Sequence, residues 1–349
     1  MKRNISIKRF DNQHYTTFFD KGNGLLIRKE DEGFDEPFWC HSSPELLDIS
    51  ITNWCNKYCD ICYRNSNENG KHMNIDDYEK IIKQASSIGV FQVALGGGNP
   101  NQHPNFSEIL ELTNNKYGIV PSFTTNGRGL TDNVLLSSQK YCGAVAISYY
   151  EPESEFIKSL ELLKNNKIRT NIHFVLSSES INLAIKWLVS PPEFLNGVNA
   201  IIFLNYKAVG AKSENSLLLN NNKNYIKFFE QLNITKYPFK IGFDSCTITG
   251  IVNYMKIDKS YLEPCESGRF SAFISENLMM YPCSFMINSC TGISLEKFTI
   301  QKIWQKSEPF LNIRSKLLSR DYVCSNCDLF DCCLGGCPFF NNINLCETK

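Results

Sequence analysis

The chain has 349 residues, 42% hydrophobic and 21% charged, which is enough apolar material for a sizeable core and excludes a globally disordered or coiled-coil protein. Lys and Arg number 36, as do Asp and Glu, and the resulting zero formal charge argues against a protein whose main work is gripping nucleic-acid phosphates. Length gives a prior of about two domains, no apolar run reaches the roughly 18 residues of a membrane span, and 15 cysteines, about 4%, are too sparse for a small disulfide scaffold.

Met1-Lys2-Arg3-Asn4 starts basic but no apolar stretch follows, so no secretory signal is expected. Thiols in such number then point to a reducing, cytoplasmic setting, where clustered cysteines bind metal or do redox chemistry. Residues 14–30 read as a β-hairpin: an aromatic and β-branched run to Phe19, turn chemistry at Lys21-Gly22-Asn23-Gly24, and a returning run to Arg28. From residue 46, short apolar strands alternate with amphipathic segments. Strands are predicted at Leu46–Ile51, Phe91–Leu95, Ile119–Thr124, Ala144–Tyr149, Thr170–Leu176 and Ala200–Asn205. Helices are predicted at Asp76–Ile88, Ser107–Asn114, Val134–Ser138, Ser154–Asn165 and Asn182–Leu188, the first capped at Asn74. A strand–helix repeat of this kind predicts an α/β fold with parallel strands and right-handed crossovers, as an open doubly wound sheet or a partial (β/α)6 barrel. In both, ligands sit at the carboxyl ends of strands, so the residues that follow each strand face the site. A further helix (Asn224–Gln231) and strand (Phe239–Phe243) lead to a linker near Asp258–Pro264. The remainder reads as short, irregular and held by cysteines. The expected domains are 1–45 (hairpin extension), 46–258 (barrel) and 259–349 (a small Cys-rich domain).

Six cysteines lie before residue 265 and nine in the last 85 residues. Cys55, Cys59 and Cys62 form a C-x3-C-x2-C loop directly after the strand at 46–51. Three thiolates cannot complete a tetrahedral zinc site alone, so two readings stand: zinc completed by His41 or His72, or a 4Fe–4S cluster that keeps one iron open. Gly96-Gly97-Gly98-Asn99-Pro100 follows the next strand, either as a tight turn or as backbone that a ligand approaches closely. Cys324, Cys327, Cys333, Cys337 and Cys346, with Cys332, exceed the four ligands of a zinc ribbon, and Cys265 and Cys283 form a looser upstream pair.

The C-x3-C-x2-C loop and the glycine motif after the following strand resemble the radical S-adenosylmethionine (SAM) superfamily over roughly residues 46–245. The resemblance implies a 4Fe–4S cluster at Cys55, Cys59 and Cys62 whose open iron chelates the amino and carboxylate groups of SAM. Reductive cleavage would then give a 5′-deoxyadenosyl radical that abstracts a substrate hydrogen. It also implies SAM contacts from Gly96, Gly97 and Gly98, whose backbone carbonyls would meet the methionyl amino group, from Asn99 (a place often acidic in relatives), from Ile61 near adenine, from Asn126 in the T-N-G run, and from Ser148. Tyr150, His173 and Lys207 lie in or after strands and are candidates for a substrate base, with a core role as the alternative for His173. Residues 265–346 resemble the SPASM appendage, which implies two auxiliary 4Fe–4S clusters and three clusters in all. Carried over, Cys324, Cys327, Cys333 and Cys346 would hold the outer cluster, and Cys265, Cys283 and Cys337 the inner one. The inner cluster's fourth ligand would be Cys290, or that iron would stay open to a substrate thiolate. Relatives usually have Gly where this chain has Leu278. Cys40, Cys142, Cys246 and Cys332 read as structural or spare thiols.

The function this implies is modification of a ribosomally made precursor peptide, with a thioether or carbon–carbon crosslink as product. Oxidation of a Cys or Ser side chain to formylglycine is the alternative enzyme, and a non-catalytic zinc- or cluster-stabilised binding protein is the alternative outside enzymes. A flavodoxin- or ferredoxin-type electron donor is implied, and neither nucleic acid nor membrane is an expected partner. The N-terminal hairpin offers a strand edge to a peptide, or it caps the end of the barrel. The segment before residue 46 is too short for the winged-helix leader-binding module of some relatives, so leader recognition is expected from a separate protein or another surface.

Overall fold

The computed structural model describes residues 5–234, 236–321 and 324–346, so Met1–Asn4, on which the signal-peptide expectation turned, lie outside the described residues. In chain order the elements are β1 (Ile5–Phe10), β2 (Tyr15–Asp20), β3 (Leu26–Glu30), β4 (Leu46–Thr52), α1 (Ile75–Ser87), β5 (Gln92–Gly97), α2 (Phe106–Glu111), β6 (Val120–Thr125), α3 (Asp132–Tyr141), β7 (Val145–Ser148), α4 (Glu153–Asn165), β8 (Thr170–Leu176), α5 (Ile181–Val189), β9 (Ala200–Asn205), α6 (Asn224–Leu232), β10 (Lys240–Phe243) and α7 (Ile248–Tyr254). They continue with β11 (Ser271–Ile274), β12 (Met279–Tyr281), β13 (Ile293–Ser294), α8 (Ile300–Lys306), α9 (Glu308–Leu318) and α10 (Phe330–Cys333). The helix start read at Asn74 is present: its side chain accepts from the Asp76 N–H, satisfying an otherwise orphaned donor. The chain divides into two compact units. One holds the chain to Asn56, Asn67–Val145 and Ser267–Leu311; the other holds Lys57–Ser66, Ala146–Glu266 and the chain from Asn312.

In the first unit the strands lie in the order β6–β5–β4–β11, mutually parallel, with β12 and β13 added antiparallel beyond β11. Leu47, Ile49 and Ile51 of β4 are buried on one face, with Val93 and Leu95 of β5 beside them. The predicted hairpin is β2–β3, and β1 pairs with β2 to make it a three-stranded antiparallel sheet. That sheet packs at the amino ends of the parallel strands. Phe19 clusters with Phe91, which precedes β5, and with Val120, which begins β6. Lys8 Nζ donates to Ile88 O and Lys21 Nζ to Gly118 O. The buried Arg28 guanidinium pairs with Glu36 and Glu45 and lies 3.5 Å from the centre of the Phe270 ring. The sheet thus covers the amino ends of these strands while β1 and β3 remain its outer strands.

The expectation that the region after residue 264 is short and irregular is corrected: β11 extends the parallel sheet beside β4, and α8 and α9 follow. A four-residue strand is too short to show a period, and its pairing partner lies over 200 residues away in sequence. Trp304 of α8 is fully buried and donates from Nε1 to Cys40 O, which anchors the helix on the segment before β4. The turn between β11 and β12 places Leu278 at φ 59°, the left-handed conformation that glycine adopts freely. The backbone shape expected of a glycine is thus kept with a leucine in it. We expect Leu278→Gly to stabilise the protein by about 0.5–1 kcal/mol, the left-handed penalty less glycine's entropy cost. Thermal denaturation would show a rise of about 1 °C; a fall would mean that Leu278's packing outweighs its backbone strain.

In the second unit the order is β7–β8–β9–β10, with β8, β9 and β10 parallel. Alternate residues of β8 (Ile172, Phe174, Leu176) are fully buried, and Phe174 packs edge-on against Phe203 and Trp187. His173 and Val175 lie on the opposite, half-buried face. The C-terminal stretch is fastened to α7: the Leu345 N–H donates to Thr249 Oγ1. Gly336 has φ 79°, and a Cβ there would stand 2.2 Å from Asn344 Oδ1. The sharp path between Cys333 and Cys337 therefore requires glycine.

Candidate active site

The first unit holds Cys55 and the glycine motif. The end of β4 is laced to residues 67–73: Asn53 N–H donates to Lys71 O, Cys55 N–H to Asn67 O, and Met73 N–H to Ile51 O. Both ends of the cysteine excursion are thereby fixed. The loop after β5 is laced to the same strand end, with Gly98 N–H donating to Thr52 O and Asn99 N–H to Trp54 O. A Cβ at Gly97, where φ is 110°, would lie 2.0 Å from Thr52 O, and one at Gly98 2.1 Å from Trp54 O. These two glycines exist for strand-to-strand approach. Of the three, Gly96 is the one whose missing Cβ leaves open space.

Asn99 is fully buried, and its side chain is committed to protein. Nδ2 donates to Gln102 Oε1 and Arg128 O, while Oδ1 accepts from Thr125 Oγ1 and the Asn126 N–H. It joins the loop after β5 to the turn after β6. In that turn Asn126 Nδ2 donates to Cys55 Sγ at 3.4 Å, and Arg128 Nη1 donates to Asn56 O. The structure thus brings Asn126 to Cys55. Arg128, which the sequence reading missed, braces the cysteine loop; its one signal was its place directly after that run. Asn56 Oδ1, next to Cys55, is buried with no donor among the described residues.

The second unit holds Cys59, Ile61 and Cys62. The Cys62 N–H donates to Cys59 O, and the segment after β9 lies against this turn: at Gly210, with φ 112°, a Cβ would stand 2.5 Å from Cys62 O. Ile61 packs against the buried patch of Tyr206, Leu218 and Ile343. Lys57, whose side chain is 7% exposed, pairs with Glu155 at 3.2 Å and lies 5.6 Å from the Tyr150 ring centre. Tyr150 therefore stands beside the cysteine loop. Ser148, at the carboxyl end of β7, is half-buried and makes no side-chain hydrogen bond among the described residues. His173 is held neutral, burial pushing its pKa down to about 4 against the opposing pull of Asp244. Lys207 Nζ donates to Asp244 Oδ2 and to Asn205 O, both at 2.9 Å, and is almost wholly buried. Two of the three proposed bases therefore gather around Asp244. The sequence reading missed Asp244; its signal was its place directly after β10, where the strand-end rule applies as it does elsewhere.

Of the C-terminal thiols, Cys265, Cys324 and Cys333 are buried in the second unit, with Cys327, Cys337 and Cys346 half-buried there. Phe340 N–H donates to Cys337 Sγ and Asn253 Nδ2 to Cys346 Sγ. Cys283 and Cys290 belong to the first unit, and burial alone raises the Cys290 thiol. Burial also pushes the Cys246 thiol up; Lys207 opposes this, while Asp244, Cys265 and Cys337 add to it. Among the described residues no cysteine is in a disulfide. Among the described residues no three His, Cys, Asp or Glu side chains converge on a site for a single ion. Of the histidines offered for zinc, His72 is bonded through Nδ1 to Thr52 Oγ1. The donor set suits iron–sulfur clusters: thiols in groups, with amide N–H donors on Cys55, Cys337 and Cys346 that stabilise thiolate charge.

Residues 49–152 match the radical SAM superfamily profile. Among curated proteins the chain is similar to the probable GTP 3′,8-cyclase of Methanothermobacter thermautotrophicus, 31% identical over 152 residues (42% of this chain, 50% of that protein). It is 28% identical over 186 residues to that of Pyrococcus horikoshii (49% of this chain, 58% of that protein). The chain therefore spans about half the length of the curated relatives it matches. Among solved structures its fold is similar to Streptococcus suis SuiB bound to S-adenosylmethionine, with TM-score 0.72 and 16% identity over 97% of this chain and 95% of that one. SuiB bound to precursor peptide SuiA gives the same score over 96% and 95%. The anSMEcpe structure with bound AdoMet and Cp18Cys peptide gives 0.64 at 18% identity over 84% and 89%. The Cys55–Cys59–Cys62 motif lies within residues 49–152, which match the radical SAM superfamily, and the chain as a whole has a fold similar to those of SuiB and anSMEcpe.

Proposed function

We propose that the protein modifies a ribosomally made precursor peptide and forms a thioether or carbon–carbon crosslink in it. The observation that carries this reading is the fold likeness over 97% of the chain to SuiB, a protein also solved with a precursor peptide. Cys55, Cys59 and Cys62 would hold the cluster that binds SAM, and Cys265, Cys283, Cys324, Cys327, Cys333, Cys337 and Cys346 the auxiliary clusters. When bound, the cluster and SAM supply a hydrogen-abstracting radical, and the auxiliary clusters supply sites for the electron the substrate must lose. The chain's own part is positioning. Asn126 Nδ2 stabilises the Cys55 thiolate, Gly96 leaves room beside the end of β5, and the uncommitted Ser148 hydroxyl is available to a ribose hydroxyl. Neutral His173 keeps a ring-nitrogen lone pair for a proton, while Asp244 fixes Lys207 as a buried cation. With the N-terminal sheet at the amino ends of the strands, leader recognition falls to another surface or a separate protein. Electrons would come from a flavodoxin- or ferredoxin-type donor.

The likeness to anSMEcpe with a bound Cys-containing peptide favours one second reading, oxidation of a Cys or Ser side chain to formylglycine. One experiment addresses both. The anaerobically reconstituted protein is expected to carry about 12 irons, as three clusters require. With SAM, dithionite and the short peptides encoded beside its gene, it should release 5′-deoxyadenosine and remove two hydrogens from one peptide. A crosslink and an aldehyde made from Ser share that mass change, so trapping with a hydrazide separates them. Turnover of GTP, the substrate in the curated relatives' names, with no peptide modified would overturn the reading.

A further inference from the structure

Glu276 is far along the chain from the glycine motif, yet the fold sets its carboxylate at that motif's strand end. β11 runs parallel to β4, with Ile274 paired to Ile49, so the turn after β11 emerges at the carboxyl end of β4. Two backbone bonds close that turn, Leu278 N–H to Ser275 O and Ser275 N–H to Met279 O. Glu276, within it, is half-buried. Ser50 of β4 is fully buried and donates from Oγ to Glu276 Oε2 at 2.7 Å. Ser50 is also the residue paired in register with Gly96, and a Cβ at Gly97 would stand 2.3 Å from its Oγ. One hydroxyl thus joins the carboxylate to the glycine strand end, where Gly96 has open space in place of a side chain. All of these residues belong to the first unit. Asn99 of the same motif is uncharged, and its acceptor Oδ1 already takes Thr125 Oγ1 and the Asn126 N–H. A ligand group with N–H donors and positive charge is better matched by the carboxylate beside Gly96.

We propose that Glu276 binds the methionyl amino group of SAM, accepting a hydrogen bond from its N–H beside Gly96. The proposal rests on the SAM-binding reading given above. Ser50 is the positioning residue, since its hydrogen bond fixes the direction of the carboxylate. The consequence is structural as well as chemical. The turn between Cys265 and Cys283, far outside residues 49–152, takes part in holding the cofactor of the Cys55 loop.

The test is isothermal titration of the anaerobically reconstituted full chain with three ligands. These are SAM, S-adenosylhomocysteine, which keeps the amino group and lacks the sulfonium charge, and S-adenosylhomocysteine without its amino group. Glu276→Gln keeps the side chain's shape and an oxygen acceptor for Ser50. It is expected to weaken SAM and S-adenosylhomocysteine by about tenfold each, the difference between a charge-assisted and a neutral hydrogen bond. The deaminated ligand should bind parent and variant equally, and iron content and melting temperature should not change. Should Glu276→Gln fail to fold, Glu276→Asp is put through the same comparison with the same expectation. The proposal is overturned if the variant binds SAM as tightly as the parent does. It is overturned equally if SAM weakens while S-adenosylhomocysteine does not, which would turn the carboxylate toward the sulfonium, or if the deaminated ligand weakens as much as the others, which would make the effect one of folding. A parent that takes up no iron and binds no SAM overturns the reading of function along with the proposal, a failure seen before any variant is compared.

Discussion

Cys55→Ala is expected to lower the release of 5′-deoxyadenosine from SAM by at least about 10³-fold, the loss typical of removing one member of a group that acts as a unit. Cys55 is the buried anchor of its loop, 9% exposed, with its backbone N–H donating to Asn67 O and its sulfur accepting from Asn126. Two remaining thiolates cannot hold a 4Fe–4S cluster that needs three. Iron should fall from about 12 to about 8 per chain, the two auxiliary clusters being retained. The loop's ends are laced to β4 through backbone atoms, which the substitution leaves in place, so the melting temperature of the metal-free protein should change little. Asn126→Ala should give a milder version: the cluster assembles, but without its amide donor the Cys55 thiolate is less stabilised and the midpoint potential falls. Unchanged 5′-deoxyadenosine release in Cys55→Ala would remove the chain's central cluster from the proposal.

The sequence and the structure agree where the signal is local. β8 runs over the predicted residues, Thr170–Leu176, because its buried alternate positions carry the whole period within one segment. Asn74 was legible as a helix start for the same reason. The C-x3-C-x2-C loop was legible because the ligands of a cluster can lie within eight residues of chain. What escaped depends on partners far away in sequence. β1 alternates apolar with polar and charged residues and becomes a strand only against β2. β11 exists because β4 offers it an edge. Asp244 and Arg128 are unremarkable as letters; their meaning comes from Lys207 and from the Asn56 carbonyl.

The glycine motif shows the same division within three consecutive residues, and it yields the second large effect. Gly98→Ala is expected to destabilise the protein by about 3 kcal/mol, because a Cβ placed 2.1 Å from Trp54 O must push rigid backbone. The displacement would strain the Gly98–Thr52 and Asn99–Trp54 hydrogen bonds, which fix the strand end that carries Cys55. Stability and cluster content should therefore fall together, with excess SAM restoring neither. Gly96→Ala should behave in the opposite way. Its Cβ meets open space, so the fold should tolerate it to within about 1 kcal/mol. If that space belongs to the methionyl end of SAM, the methyl group blocks it, and SAM affinity should drop at least about tenfold, a loss of about 1.4 kcal/mol. Isothermal titration with SAM, alongside thermal melting of both variants, separates the two. Should Gly96→Ala bind SAM as tightly as the parent while Gly98→Ala merely melts early, the motif would be a strand-packing device, and SAM would have to be held elsewhere.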